Sequence, residues 1–154
     1  MFTFIGDFEC RTDAKGRIVF PSAFKKMVGE DHVHFIVRKD LFESCLVLYP
    51  HEIWEEELAR IRAGINIYNR EHNRFLRHFF RSSAEVTLDG NGRFLIPRRL
   101  MEQIQAGRDL ILLGVDRYIE VWDKETYVKS TLSGEDLGNL AEKILGGQDH
   151  SKEI

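Results

Sequence analysis

The phrase DAKGRIVFP at residues 13–21 returns at 89–97 as DGNGRFLIP, and this internal repeat limits what the chain can fold into more than any other feature. A repeat means one supersecondary plan used twice. Asp13, Gly16, Arg17 and Pro21 align with Asp89, Gly92, Arg93 and Pro97 without a gap; Ile18, Val19, Phe20 and Phe24 align with Phe94, Leu95, Ile96 and Leu100. The flanks repeat too. FECRT and RIVF surround DAKG, and EVTL and RFLI surround DGNG. Asp, Asn and Gly between two β-rich runs signal a tight turn, with glycine supplying positive φ. Pro21 and Pro97 then open short helices, with Gly29 and Gly107 as their expected ends. The runs VHFIV and SCLVLYP match LILLG and YIEVWD as strand pairs, and HEIWEEEL matches KETYVKS as a helix start with early acids. The plan is strand, turn, strand, short helix, strand, strand, helix, run twice. One copy has too small a core to stand alone. Two copies can bury their apolar faces about a pseudo-twofold axis, in a small interleaved barrel with the two turns on one face.

Size and composition agree. At 154 residues, 43% hydrophobic and 31% charged, the chain suits one ordinary globular domain or two small halves sharing a core. Its start, MFTFIGDFECRT, lacks a basic region followed by an apolar one, so no signal peptide is expected, and no apolar run is long enough to span a bilayer. Cys10 and Cys45, unclustered in strand-like stretches, read as buried reduced thiols of a cytosolic protein. The net charge of −3 argues against a nucleic-acid partner only until its distribution is examined. Residues 1–132 hold 20 Lys and Arg against 20 Asp and Glu, while the last 22 residues hold 2 against 5. The acidic surplus lies in the tail, and a neutral body can carry a basic patch.

Between the copies, residues 52–83 read as helical. Ile53, Trp54, Leu58 and Ile61 share a face of the first helix. A second helix beginning around Tyr68 places Arg70, Arg74, Arg77 and Arg81 in one narrow sector, with Tyr68, Phe75, Leu76 and Phe79 opposite. The ridge reads as a solvated face, a contact to acids such as Glu55, Glu56 and Glu57 of another subunit, or a second DNA surface. Near the C-terminus, Ser133 and Asp136 resemble a capping box, and Leu137, Leu140, Ile144 and Leu145 form an apolar stripe expected to pack on the chain's own barrel, with a contact between subunits as the alternative. GGQDHSKEI, at 146–154, reads as disordered.

Catalytic chemistry is hard to find. No Ser–His–Asp setting, phosphate loop or metal cluster can be defended, and no cofactor is called for. His32 and His34 alternate along a strand start without an evident third ligand; His72 and His78 read as packing or surface residues. Asp13 and Asp89 could form a symmetric acid dyad, but an Asp opening a turn has a simpler task, accepting backbone N–H groups two residues on. Arg17 and Arg93, each following a glycine turn, have two readings. One is an intraloop ion pair with the Asp four residues earlier. The other is a rigid hairpin presenting arginine, with Lys15 or Asn91 at its tip, to phosphate or to a guanine edge in two-point geometry.

The doubled D-x-x-x-R motif with its proline, together with LVLYP before a Trp-bearing helix and VWD late in the second copy, resembles the MraZ family over about residues 1–130. That resemblance implies an α+β, mainly β fold: two tandem AbrB-like ββαββ halves in one chain, forming a pseudo-twofold swapped-hairpin barrel with connecting helices. The halves would be residues 1–51 and 84–132, with a helical connector at 52–83 and a C-terminal helix and tail at 133–154. It implies a cytoplasmic, nucleoid-associated transcriptional regulator, usually a repressor, assembled as a ring. Its partner would be double-stranded DNA, at short direct repeats upstream of the division and cell-wall gene cluster that includes its own operon. Carried over by position, the DNA contacts are Arg17, Arg93, Lys15 and Asn91, with Asp13, Gly16, Asp89, Gly90 and Gly92 shaping the turns. No small-molecule substrate, metal, catalytic residue or membrane partner is implied. The alternative is a non-catalytic oligomeric scaffold in which the arginines serve turn or subunit pairing.

Overall fold

The computed structural model describes residues 3–147; the remainder of the segment expected to be disordered, 148–154, lies outside the described residues. The first copy gives β1 (Phe4–Arg11), β2 (Arg17–Val19), α1 (Ser22–Val28), β3 (His34–Lys39), β4 (Leu46–Pro50) and α2 (His51–Gly64). After α3 (Arg70–Arg81), the second gives β5 (Ser83–Thr87), β6 (Arg93–Leu95), α4 (Arg98–Gln103), β7 (Asp109–Asp116), β8 (Tyr118–Asp123) and α5 (Lys124–Ser130). Last comes α6 (Gly134–Ala141), running into a π-helical turn at Glu142–Gly146. The fold is α+β and mainly antiparallel sheet. Among the described residues no helix is long and apolar enough to cross a membrane.

The strands exchange partners between copies. The large sheet runs β1-β7-β8-β4-β3-β5, and β2 pairs with β6 in a separate ribbon. Renaming each strand as its mate in the other copy reads the large sheet's order backwards, which is the signature of an approximate twofold. Strand β1 lies along β7, Phe4 opposite Asp116 through Arg11 opposite Asp109, while β5 lies along β3. The expected tight turns are present, but the strands flanking each one do not pair with each other. Each Asp–Gly turn joins two strands that diverge at once into different sheets, because each finds its apolar complement in the other copy.

The repeated apolar positions make the core. Ile18 and Phe94, Phe20 and Ile96, Phe24 and Leu100, and Val28 and Ile104 are mates, and all eight are buried. Phe24 meets Phe4 and Phe8 edge-on at 5.5 and 4.9 Å between ring centroids, and Phe20 meets Phe94 edge-on at 6.0 Å. The edge-to-face arrangement suits the ring quadrupoles. Strands β3 and β4 are buried on both faces and read as unbroken apolar runs.

Helix boundaries follow local chemistry. Pro21, Pro50 and Pro97 each sit at an N-cap. Gly29, at φ 78°, closes α1 as expected. Gly107 does not close α4. That helix ends at Ile104 in a Schellman turn: Ala106 N–H reaches Met101 O and Gln105 N–H reaches Glu102 O, with Gln105 itself at φ 51°. Helix α3 starts later than Tyr68, because Asn69 Oδ1 accepts from Glu71 and His72 N–H and fixes the N-cap there. Tyr68 is left 92% exposed, outside the apolar face it was assigned to. The face that does form stacks Phe79 on Trp54 of α2 at 5.7 Å. Beneath it the guanidinium of Arg38 lies 5.4 Å from the ring centres of Tyr49 and Phe79 and donates to Tyr49 Oη at 2.7 Å. Burial pushes the Tyr49 phenol up to about 12, so it stays a neutral acceptor for that charge. The Ser133 cap is present, accepting from Asp136 N–H at 3.1 Å. The stripe behind it is corrected: Leu137, Leu140, Ile144 and Leu145 are all exposed rather than packed on the chain's own sheet. Of the two free thiols, Cys45 is buried and Cys10 only half-buried.

Gly114 is the tightest point of the exchanged pairing. It faces Gly6 in register, and a Cβ there would stand 2.5 Å from the Phe4 carbonyl carbon and 2.6 Å from the Ile5 nitrogen. Since both obstacles are backbone, Gly114→Ala is expected to destabilise the fold by about 1–3 kcal/mol, measured as a lower urea midpoint, whereas Gly64→Ala, with open space, stays near wild type.

Candidate nucleic-acid interface

The two turns have the same internal wiring. In the first, Asp13 Oδ1 accepts from Lys15 N–H and Arg17 N–H, both at 2.9 Å. In the second, Asp89 Oδ1 accepts from Asn91 N–H at 2.8 Å and Arg93 N–H at 3.0 Å. Backbone closure matches as well: Asp13 N–H to Arg17 O at 2.9 Å, and Asp89 N–H to Arg93 O at 2.8 Å. Gly16 and Gly92 take φ values of 83° and 71°, the left-handed region that the turn requires. Gly90 has no such conformation and open space around it, so the turn does not depend on glycine there.

The second carboxylate oxygen holds the arginine. Arg17 Nε donates to Asp13 Oδ2 at 2.8 Å; Arg93 Nε lies 3.5 Å from Asp89 Oδ2, an ionic contact without hydrogen-bond alignment. The intraloop ion pair anticipated as one reading is thus present. It engages Nε and leaves the outer guanidinium nitrogens. The side chains keep 31% and 27% of their surface, so neither arginine is sealed inside the fold. The loops also meet: Arg93 Nη1 lies 3.9 Å from Asp13 Oδ2. Behind them β2 and β6 run antiparallel, Arg17 opposite Leu95, Ile18 opposite Phe94 and Val19 opposite Arg93. The twin turns therefore flank opposite ends of a ribbon only three residues long, close enough for Arg93 of one to reach Asp13 of the other.

Both carboxyls are held below the ordinary value of 3.8, first by the backbone N–H of the arginine four residues on. A catalytic dyad needs one carboxyl raised so that it can carry a proton. Here both are lowered and their lone pairs are committed, so the dyad reading has no chemical footing.

Two further cations lie beside these loops, and sequence reasoning missed them. The Lys25 ammonium, from α1, stands over Gly92, 3.4 Å from where a Cβ would be, and has no ion-pair partner among the described residues. Arg98, at the start of α4, lines a groove of about 740 Å³ with Lys15, Gly16 and Arg108. Pro21 and Pro97, each at an N-cap, aim α1 and α4 at the turn of the other copy. The prolines were the available signal, but which turn each helix would reach is a tertiary fact.

The remaining candidates fall elsewhere. His32 pairs with Glu52 at 3.4 Å, and His34 Nδ1 stands 3.4 Å from Thr87 Oγ1. His72 Nδ1 accepts from Asn66 N–H at 2.9 Å, and His78 is exposed. Glu55 meets His51, Glu57 meets Arg60, and Glu56 meets Arg117 at 2.5 Å. Arg70, Arg74, Arg77 and Arg81 are all exposed, and none is ion-paired among the described residues. Asp40, Cys45 and Glu120 bring their donor atoms within 4.8 Å of one another. Each carboxylate has internal donors: Asp40 takes Phe42 and Glu43 N–H, and Glu120 takes the Trp122 indole.

A family model described as "MraZ protein, putative antitoxin-like" matches the chain twice, over residues 3–78 and 79–139. The chain belongs to the MraZ family. Among curated relatives, the "Transcriptional regulator MraZ" of Phocaeicola vulgatus is 40% identical, over 93% of this chain and 94% of its own. The protein of that name from Bacteroides thetaiotaomicron is 37% identical over 97% and 96%, and that from Clostridium acetobutylicum 36% identical over 92% and 96%. The family is one of transcriptional regulators, which is not an enzyme class.

The clamps predict a pH response. A carboxyl with a lowered folded value contributes stability that is complete above the ordinary value and is lost as pH falls through the lowered one. Amide protection at Lys15, Arg17, Asn91 and Arg93, corrected for intrinsic exchange, is therefore expected to persist below pH 3.8 and then collapse. Asp13→Ala should remove it at Lys15 and Arg17 at every pH and spare Asn91 and Arg93; loss at all four together would mean the loops are not separately clamped.

Proposed function

We propose that the chain is a sequence-specific, DNA-binding transcriptional regulator that grips duplex DNA with its paired Asp–Gly–Arg turns. One observation carries the reading. Two loops with the same backbone wiring flank one short ribbon with Lys15, Arg17, Lys25, Arg93 and Arg98 around them, while their two aspartates are turned inward onto backbone N–H groups. Such a surface suits a polyanion, and arginine adds two-point recognition of phosphate or guanine. Asn91 offers a hydrogen-bonding tip in place of the lysine of the first loop.

The finer reading follows from the family likeness. Residues 1–51 and 84–132 would be AbrB-like halves of one swapped-hairpin barrel, joined through 52–83 and followed by the 133–154 tail. The chain would act in the cytoplasm, on the nucleoid, as a repressor. It would bind short direct repeats upstream of its own operon in the division and cell-wall cluster. A homo-oligomeric ring would set several loop pairs against several repeats, and repeats about 10 bp apart would present each on the same DNA face. The uncovered stripe of Leu137, Leu140, Ile144 and Leu145 supports self-assembly.

A labelled duplex carrying the repeats is expected to shift in a gel, with binding weakening steeply as salt rises, because each neutralised phosphate releases counterions. Arg17→Ala and Arg93→Ala are each expected to weaken the shift about 10- to 100-fold, consistent with loss of a bidentate contact, while the circular dichroism melt stays nearly unchanged. Wild-type binding by both variants removes the loops from the interface. An unshifted duplex with particles of normal size leaves the scaffold reading.

A further inference from the structure

The outward face of the β2–β6 ribbon is not uniformly polar. Ile18 and Phe94 point into the core and are buried, so strand alternation turns Arg17, Val19, Arg93 and Leu95 outward. Val19 is 58% exposed and its mate Leu95 is 55% exposed. They stand at equivalent positions of the two copies, Val19 opposite Arg93 and Leu95 opposite Arg17, so aliphatic and guanidinium groups alternate around the pseudo-twofold. Leu95 Cδ1 lies against Gly16 of the first turn, 3.5 Å from where a Cβ would sit. Serine, threonine or lysine would solvate this face better, and a surface that only held phosphates would have no use for branched aliphatics.

Resting on the DNA-binding reading above, we propose that Val19 and Leu95 read thymine C5-methyl groups in the major groove while Arg17 and Arg93 engage neighbouring bases. The major groove admits a two-stranded β-ribbon, and the thymine methyl is the one apolar feature on its base edges. The cations bordering the ribbon give it the charge complementarity that such an occupant needs. The carboxylates of this face, Asp13 and Asp89, are committed to N–H groups of their own loops, so the face presents its cations outward.

Uracil differs from thymine only by that methyl, so the test alters the DNA and leaves the fold untouched. Starting from the best duplex selected from a random pool, each thymine is replaced in turn by uracil, and affinity is measured for wild type, Val19→Ser and Leu95→Ser, with particle size on the same samples. Wild type is expected to lose about fourfold at one or two thymines, the scale of one methyl group returned to water. Each variant should abolish the thymine preference at its own position and keep the wild-type salt dependence. Equal binding of thymine and uracil duplexes by wild type overturns the methyl reading while DNA binding stands. Absence of any duplex binding is instead the failure of the proposed function. Variants that change particle size and leave the thymine preference intact overturn the proposal in favour of a contact between copies.

Discussion

The antiparallel pairing of β2 with β6 is the contact on which the rest of the structure depends. These strands are three residues each, far too short to persist as an isolated hairpin. They hold because Ile18 and Phe94, paired directly across the ribbon, are both driven into the same core. Once that pairing is made, the strands before the turns are thrown outward in opposite directions, β1 to β7 and β5 to β3, and neither copy can close its sheet alone. The same pairing brings the two turns together. Fold and site are consequences of one geometric event, so a mutation that slips this register would move both arginines at once.

The two copies share wiring but divide the cations unevenly. The first turn carries Lys15 and borders Arg98; the second has Asn91 at its tip and takes the ammonium of Lys25 over its glycine. In the repeat alignment Lys25 corresponds to Met101, and Arg98 to Ser22. Each helix thus brings one cation to the turn of the opposite copy, from a different position in each. The backbone device, Asp holding two N–H groups and then Arg Nε, is the part common to both. Conserving geometry while varying the charges around it gives two loops that hold one shape and present different chemistry.

Much of this was legible in the sequence because the repeat carries it. The doubled Asp, Gly, Arg and Pro gave the turns, and the apolar mates gave the core. What could not be read were relations between elements. Period-two patterning tells which face of a strand is apolar and not which strand lies beside it, so turns flanked by β-rich runs read as hairpins when their strands in fact part. Gln105 closes α4 at positive φ where glycine was expected two residues later, because the Met101 and Glu102 carbonyls made a complete Schellman turn available there. Tyr68 fitted the helical period, but Asn69 is the better cap and stopped the helix one residue short of it. The tail stripe is amphipathic as read, yet amphipathicity names an apolar face without saying whose surface covers it. Lys25 and Arg98 escaped notice for the same reason: only the fold decides which turn a helix leans over.

If the proposed interface grips DNA, the balance of charge decides how it must operate. A body with balanced charge has no long-range field to draw DNA in, so attraction must come from a small local patch. That patch holds few cations, and salt screens it within about 10 Å. Each phosphate neutralised contributes a slope of roughly 0.9 in log affinity against log salt, so one subunit with a handful of contacts is weak at cellular ionic strength. Joining several patches rigidly converts each later contact into an intramolecular one and can raise avidity by about 10²–10⁴ without new chemistry. The gain requires that the patches keep a fixed spacing and a fixed attitude. A turn whose aspartate is tied to two backbone amides and an arginine, on a ribbon anchored by buried Ile18 and Phe94, satisfies that requirement; a flexible basic tail would not.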